Sequence, residues 1–130
     1  MAVVLIIDDD EMIVESLSIL LQNEGYDVLS SSNGKNGLKL LGKNRIDVVI
    51  TDIIMPDKDG IDTIREIKKT YRNTKIIAMS GGGKIAAKEY LTFVKQLGVR
   101  HTLSKPFEKE QILSALEAVL REPKRRRPNI

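Results

Sequence analysis

The 130-residue chain has no cysteine and no tryptophan, a single histidine, two phenylalanines and three tyrosines. Without cysteine there is no disulfide framework and no thiolate zinc site. One imidazole, His101, excludes paired-histidine metal sites and leaves a Ser-His-Asp triad little to build on. Long hydrophobic runs are missing as well. The N-terminal run Ala2–Ile7 covers six residues and then meets Asp8, Asp9 and Asp10. It has neither the length nor the basic start of a signal peptide, and no later run is long enough to cross a bilayer. The expectation is a cytoplasmic chain with no membrane association, of a length that suits one domain with an ordinary core.

A strong charge of one sign is missing from the body of the chain. Of the 21 basic and 18 acidic residues, five basic and one acidic fall within residues 121–130. That leaves 16 basic and 17 acidic residues in 1–120, a balance of −1, so the net +3 belongs to the tail. Charge alone gives no reason to read a DNA-binding domain.

Short apolar runs occur at Ala2–Ile7, Tyr26–Leu29, Ile46–Thr51, Lys75–Met79 and Val99–Leu103. They are mostly β-branched or aliphatic, as strands buried on both faces should be. Between them lie helical stripes. Ile13, Leu17, Leu20 and Leu21 precede Gly25, and Ile61, Ile64 and Ile67 follow Gly60. Ala87, Leu91, Val94 and Leu97 precede Gly98, and Ile112, Leu116, Val119 and Leu120 precede Pro123. Glycine and proline sit where helices stop. The weakest helix falls near residues 34–42, where Gly34, Gly37 and Gly42 each cost about 1 kcal/mol relative to alanine; Leu38 and Leu41 supply its apolar face. The alternation predicts an α/β fold of the (βα)5 type. Right-handed crossovers then give a five-stranded parallel sheet with helices on both faces; if its order is 2-1-3-4-5, strands 1 and 3 are neighbours at the point where strand order reverses.

Ligands of such a sheet bind beyond the carboxyl ends of the strands, where strand order reverses. Asp8 and Asp9 follow strand 1, Asp52 follows strand 3, Ser80 follows strand 4 and Lys105 follows strand 5. Clustered carboxylates repel, and a divalent cation removes the conflict. Ligands that are all oxygen select Mg²⁺, with Mn²⁺ able to replace it, over zinc or copper. Lys105 adds a point charge and Ser80 a hydroxyl donor. An aspartate is a competent phosphoryl nucleophile, because an acyl phosphate splits one hard transfer into two easier steps. Metal and ammonium together suit the charge of that transition state.

Plainer readings compete at each position. Asp10 suits a helix N-cap. Two adjacent carboxylates, Asp8 and Asp9, exceed what capping needs. The segment from Asp52 to Gly60, with Pro56, reads as a structured loop. Ser80 with Gly81, Gly82 and Gly83 fits a linker as well as an anion-binding turn, until Lys105 is added. His101 suits a solvated strand end, and Tyr90 and Phe93 suit helix packing.

Together these residues resemble the receiver domain of two-component response regulators. The resemblance covers residues 2–121 and rests on IIDDDE at 6–11, DVVITDIIMPDKDG at 47–60, IIAMSG at 76–81 and LSKPF at 103–107. It implies Mg²⁺-dependent transfer of a phosphoryl group onto Asp52 from the phosphohistidine of a sensor histidine kinase or phosphotransfer protein. By the same resemblance Asp9, Asp52 and the backbone carbonyl of Ile54 are direct Mg²⁺ ligands, with Asp8 acting through water. Ser80 then hydrogen-bonds the phosphoryl group, Lys105 pairs with it, and a cis peptide joins Lys105 to Pro106.

Two departures from the family pattern stand out. Where many receivers carry an aromatic residue three positions before the lysine, this chain has Thr102, so the aromatic half of the switch is absent. His101 and the Gly81–Gly83 turn are the neighbouring candidates to replace it. The positions that influence water at the acyl phosphate are Ile54 and Gly82, neither with a polar side chain, so slow autodephosphorylation is expected.

Residues 122–130 are too few for a DNA-binding or enzymatic domain, so the expectation is a stand-alone receiver over residues 1–121 with a disordered basic tail over 122–130 and no DNA-binding domain; the alternative is a piece cut from a longer regulator. Signalling then runs through contact of residues 84–120 with a downstream protein, as a monomer or a phosphorylation-dependent dimer. Such a chain is a phosphoacceptor and not a conventional enzyme. The alternative is a phosphohydrolase of the haloacid dehalogenase type with Asp8 as nucleophile. Glu11-Met12 departs from its motif, no paired acidic motif follows another strand after Lys105, and there is no cap insertion. A flavin binder of the same fold is disfavoured by the carboxylates and the scarcity of aromatics.

Overall fold

Alternation of buried runs and amphipathic stretches becomes alternation of strands and helices. The computed structural model describes residues 2–53, 60–81 and 92–123. Its strands are β1 (Val3–Ile7), β2 (Asp27–Ser31), β3 (Val48–Asp52), β4 (Lys75–Ser80) and β5 (His101–Ser104). The helices are α1 (Glu11–Asn23), α2 (Gly34–Lys43), α3 (Gly60–Thr70), a helical stretch over 92–96 (α4) and α5 (Lys109–Arg121). All strand pairs are parallel, as the pattern predicts, and the order is β2-β1-β3-β4-β5, the one expected for this fold.

Successive strand residues serve opposite faces. Leu5, Ile7 and Val49 pack with Leu41 of α2, Ile64 and Ile67 of α3 and Val94 of α4. Val4, Ile6 and Ile50 pack with Leu17 and Leu21 of α1 and with Ile112 and Leu116 of α5. Two cores therefore share one sheet, which explains why the strands read as unbroken apolar runs. Each fully buried aliphatic side chain contributes roughly 1.5–3 kcal/mol. Gly25 and Gly98 end α1 and α4 with φ of 93° and 95°, the left-handed region that their positions suggested. Among the described residues no helix is long and apolar enough to cross a membrane.

Strand ends differ from the sequence reading by one or two residues. Ile46 and Val99 are buried but precede their ladders, because an apolar run reports burial and not pairing. Asp47 also precedes β3: its carboxylate accepts the Val3 N–H at 2.8 Å, while its own N–H donates to the Val3 carbonyl and its carbonyl accepts the Lys75 N–H, both at 2.9 Å. In β2 the ladder runs on through Ser30 and Ser31, paired with Ile6 and Ile7. Backbone hydrogen bonds are indifferent to those side chains. Leu120 is 36% exposed, so it lies off the buried stripe of α5.

The glycines of α2 have a packing role that their helix propensity conceals. A Cβ on Gly34 would run into the side chain of buried Thr63 on α3, and one on Gly37 would run into Ile7 of β1. Their absence lets α2 lie close to both. Gly42 differs, since a Cβ there meets only the Tyr71 hydroxyl at 3.4 Å. Gly37→Ala is therefore expected to lower stability by about 1–3 kcal/mol through overpacking. Gly42→Ala should raise it by up to about 1 kcal/mol. Urea midpoints of the two variants, moving in opposite directions, check this account.

Candidate functional site

Strand order brings the polar residues to one rim. Asp8 follows β1 directly, Asp52 ends β3, Ser80 ends β4 and Lys105 follows β5. Asp52 stands beside Met79 and Ser80 beside Ser104, while the Lys105 N–H donates to the Ser80 carbonyl at 2.8 Å. Asp8, Asp52 and Ser80 are 1%, 7% and 2% exposed. The Lys105 Nζ donates to Asp8 Oδ2 at 2.6 Å and to Asp52 Oδ2 at 3.2 Å. Burial of Lys105 opposes its charged form and would lower its pKa. The hydrogen bond it donates to Asp8 and the negative charges of Asp52 and Asp8 outweigh that, so the ammonium sits above its ordinary value.

Local structure holds each group in place. The second Asp8 oxygen, Oδ1, accepts the Asp10 N–H at 3.0 Å, and the Asp8 N–H reaches the Ser31 carbonyl at 3.1 Å. Asp10 caps α1, with Oδ1 accepting from the N–H groups of Met12 at 3.0 Å and Ile13 at 3.4 Å. That is the capping role its sequence position suggested. At β3 the buried Thr51 hydroxyl donates to the Asp52 carbonyl at 3.0 Å. Gly60 opens α3 against this strand end, where a Cβ would overlap the Asp52 carbonyl and the Ile53 backbone. Sequence reasoning took Gly60 for a turn residue and passed over Thr51. Tight backbone contact across eight residues leaves no mark on local pattern.

One oxygen from each of Asp8, Asp9 and Asp52 lies within 4.8 Å of the others, with Asp9 exposed and the other two buried. Three carboxylates against one ammonium leave a formal charge of −2. An oxygen-only donor set with that charge fits a hard divalent cation, Mg²⁺ above all. Nothing in this donor set favours Mn²⁺ over it.

The structure thus gathers Asp8, Asp9, Asp52, Ser80 and Lys105. Ile54, Gly82, Gly83, Tyr90 and the tail from residue 124 lie outside the described residues. The Lys105–Pro106 peptide is cis, as the family pattern implies. Thr102 lies on β5, half-buried beside Ala78. Two expectations need correction. His101 is not a solvated strand end, because its Nε2 lies 2.9 Å from Glu122 Oε1 at the end of α5. That contact holds it at the start of β5, at the end of the strand opposite the rim. Phe93 is 37% exposed, and its ring faces the Arg65 guanidinium at 5.2 Å instead of packing inward. Removing Lys105 charge leaves two buried carboxylates facing each other. Lys105→Met should therefore cost about 1–3 kcal/mol without metal. Added Mg²⁺ should restore more stability to this variant than to the parent, read from urea midpoints with and without the ion.

The geometry agrees with what is known of similar chains. A family model described as the response regulator receiver domain matches residues 4–117. The transcriptional regulatory protein CpxR of Klebsiella pneumoniae is 32% identical over 91% of this chain and 49% of its own length. The chain therefore spans about half the length of that curated relative. A receiver domain from Clostridium thermocellum superposes with a TM-score of 0.85 at 32% identity, covering 92% of this chain and 94% of that one. The response regulator TrrA of Thermotoga maritima, solved in complex with Mg²⁺ and BeF, gives 0.81 at 29% identity, covering 92% and 100%. Family, fold and rim agree, and they support phosphoacceptor signalling over the phosphohydrolase alternative: the chain belongs to the response regulator receiver domain family.

Proposed function

We propose that Asp52 accepts the phosphoryl group from a histidine kinase or phosphotransfer protein, with Ser80 and Lys105 assisting and Mg²⁺ held at Asp8, Asp9 and Asp52. The observation that carries this reading is the Lys105 ammonium, 2.6 Å from Asp8 and 3.2 Å from Asp52. A carboxylate oxygen of Asp52 bonds to phosphorus, the phosphorus–nitrogen bond of the phosphohistidine breaks, and the imidazole leaves with the electron pair. Lys105 stays protonated throughout and pairs with the phosphoryl oxygens as they gather beside Asp52. The Ser80 hydroxyl donates to one of them. Bound Mg²⁺ supplies charge neutralisation at the same oxygens, with the Ile54 carbonyl as a further ligand by family pattern.

The donor approaches over the open rim. Beside it lies an apolar cleft of about 980 Å³ between α1 and the start of α5, lined by Met12, Ile13, Leu20, Pro106 and Phe107 among others. Met12 is 78% exposed there, which suits a helical partner laying an apolar face against α1. Output runs through residues 84–120, whose described part includes Phe93, with Arg65 of α3 beside its ring. We read residues 1–121 as the receiver unit and the cytoplasm as its compartment.

Incubation with acetyl phosphate and Mg²⁺ should add one phosphoryl group to the parent and none to Asp52→Asn, followed by intact mass. An adduct that persists in Asp52→Asn and vanishes in Asp8→Asn would move the acceptor to β1. Because Ile54 offers no polar side chain to orient water, Ile54→Asn should lose its phosphoryl group several-fold faster than the parent. An unchanged half-life would remove that explanation.

A further inference from the structure

An open sheet has two edges, and here they are β2 and β5. The Asp27 N–H donates to the Ala2 carbonyl and the Asp8 N–H to the Ser31 carbonyl, both at 3.1 Å. Asp27, Leu29 and Ser31 therefore turn their backbone groups towards β1. Val28 and Ser30 alternate with them and turn theirs outward, where nothing among the described residues meets them. Two N–H donors and two carbonyl acceptors thus stand in a row on an open edge. β5 is blunted against the same use: it has four residues, follows Arg100 and meets Pro106 just beyond its end. β2 has five residues in unbroken register, with no proline, bulge or lysine of its own.

Beside this edge α2 carries Lys35, Lys39 and Lys43, all exposed and spaced to share one face of the helix. None of them has an ion pair among the described residues. Lys39 and Lys43 line a cleft of about 420 Å³ together with Leu40 and the serines at 30–32. No described carboxylate lines it. Lysines on an exposed helix are ordinary, and near a sheet edge they discourage pairing between like copies. These stand on α2 and leave the strand itself uncovered, with Ser30 exposed. We propose that β2 receives an extended acidic segment of a partner protein as a sixth strand of the sheet. Backbone pairing holds the segment, and the lysines select its charge. Side chains of an added strand alternate between the two faces, so every second one falls on the α2 side, over the cleft. Carboxylates there meet Lys39 and Lys43, and Leu40 offers an apolar floor. A phosphodiester chain fits less well, because the outward carbonyls of Val28 and Ser30 need donors that phosphates lack. A second copy of this chain brings its own lysine row to the edge, and the two rows repel.

Fluorescence anisotropy with a labelled peptide of about eight residues, alternating glutamate and valine, tests the proposal. The full chain should bind it saturably, and Lys39→Glu/Lys43→Glu should weaken binding about ten-fold. Methylating the glutamate amides or the valine amides should abolish binding in one case only, because alternate N–H groups point to opposite sides of a strand. Ser30→Pro removes an outward N–H and spares the ladder to β1, so it should weaken binding with the urea midpoint little changed. Where that midpoint falls, the methylated peptides give the answer on unaltered protein. Absence of saturable binding at low salt overturns the proposal. So do two methylated peptides that bind alike, since strand addition uses one side of the peptide backbone. Equal binding of a peptide with lysine in place of glutamate overturns the acidic partner. A dimer, seen by sedimentation, that Ser30→Pro dissolves assigns the edge to a second copy and overturns it as well. None of these outcomes depends on Asp52 chemistry.

Discussion

One ammonium placed between two buried carboxylates governs the rim. Asp8 and Asp52 are almost fully enclosed, and burying a carboxylate without a partner costs several kcal/mol. Lys105 supplies the partner for both, although β4 stands between β5 and β3 in the sheet. Strand order is what permits this. With β1 and β3 adjacent, Asp8 and Asp52 share a site, and the Lys105–Ser80 backbone bond fixes the lysine at its edge. The same arrangement leaves a surplus of negative charge that a hard cation fits, so ion binding and chain stability are linked through one set of oxygens.

A parallel sheet also gives the molecule an electrical direction. Every described strand leads towards the rim, where α1 begins beside Asp9, Asp10 and Glu11. The far end collects helix C-termini together with Lys43, Arg45, Lys68 and Arg72. Each side chain there is unremarkable for a helix end. Their sum separates an acidic chemical end from a basic end, in a body whose balance over residues 1–120 is only −1. Composition averages this away, and direction restores it.

β5 carries contacts of both kinds. Lys105 follows it at the rim, and His101 begins it against Glu122. Thr102 lies between, with a side chain too small to repeat the inward swing of an aromatic ring. A ring swing at residue 102 is therefore not available to this chain.

Sequence by itself determined the alternation of parallel strands with helices and the identity of the rim residues, while strand order was an assumption that the sheet bears out. Parallel strands buried on both faces must be apolar throughout, so the five runs were legible, and polar residues just past them had to fall on one edge. Asp10 was legible as a cap for the same local reason. What only tertiary structure decided were contacts between distant segments. Gly34 and Gly37 look like flaws in a helix until Thr63 and Ile7 are seen to need the space. His101 looks solvated until α5 returns Glu122 to it. Strand ends followed ladder pairing, which Ser31 continues whatever its polarity. Periodicity reports which face a residue presents, whereas distances between faces are set by how helices settle on the sheet.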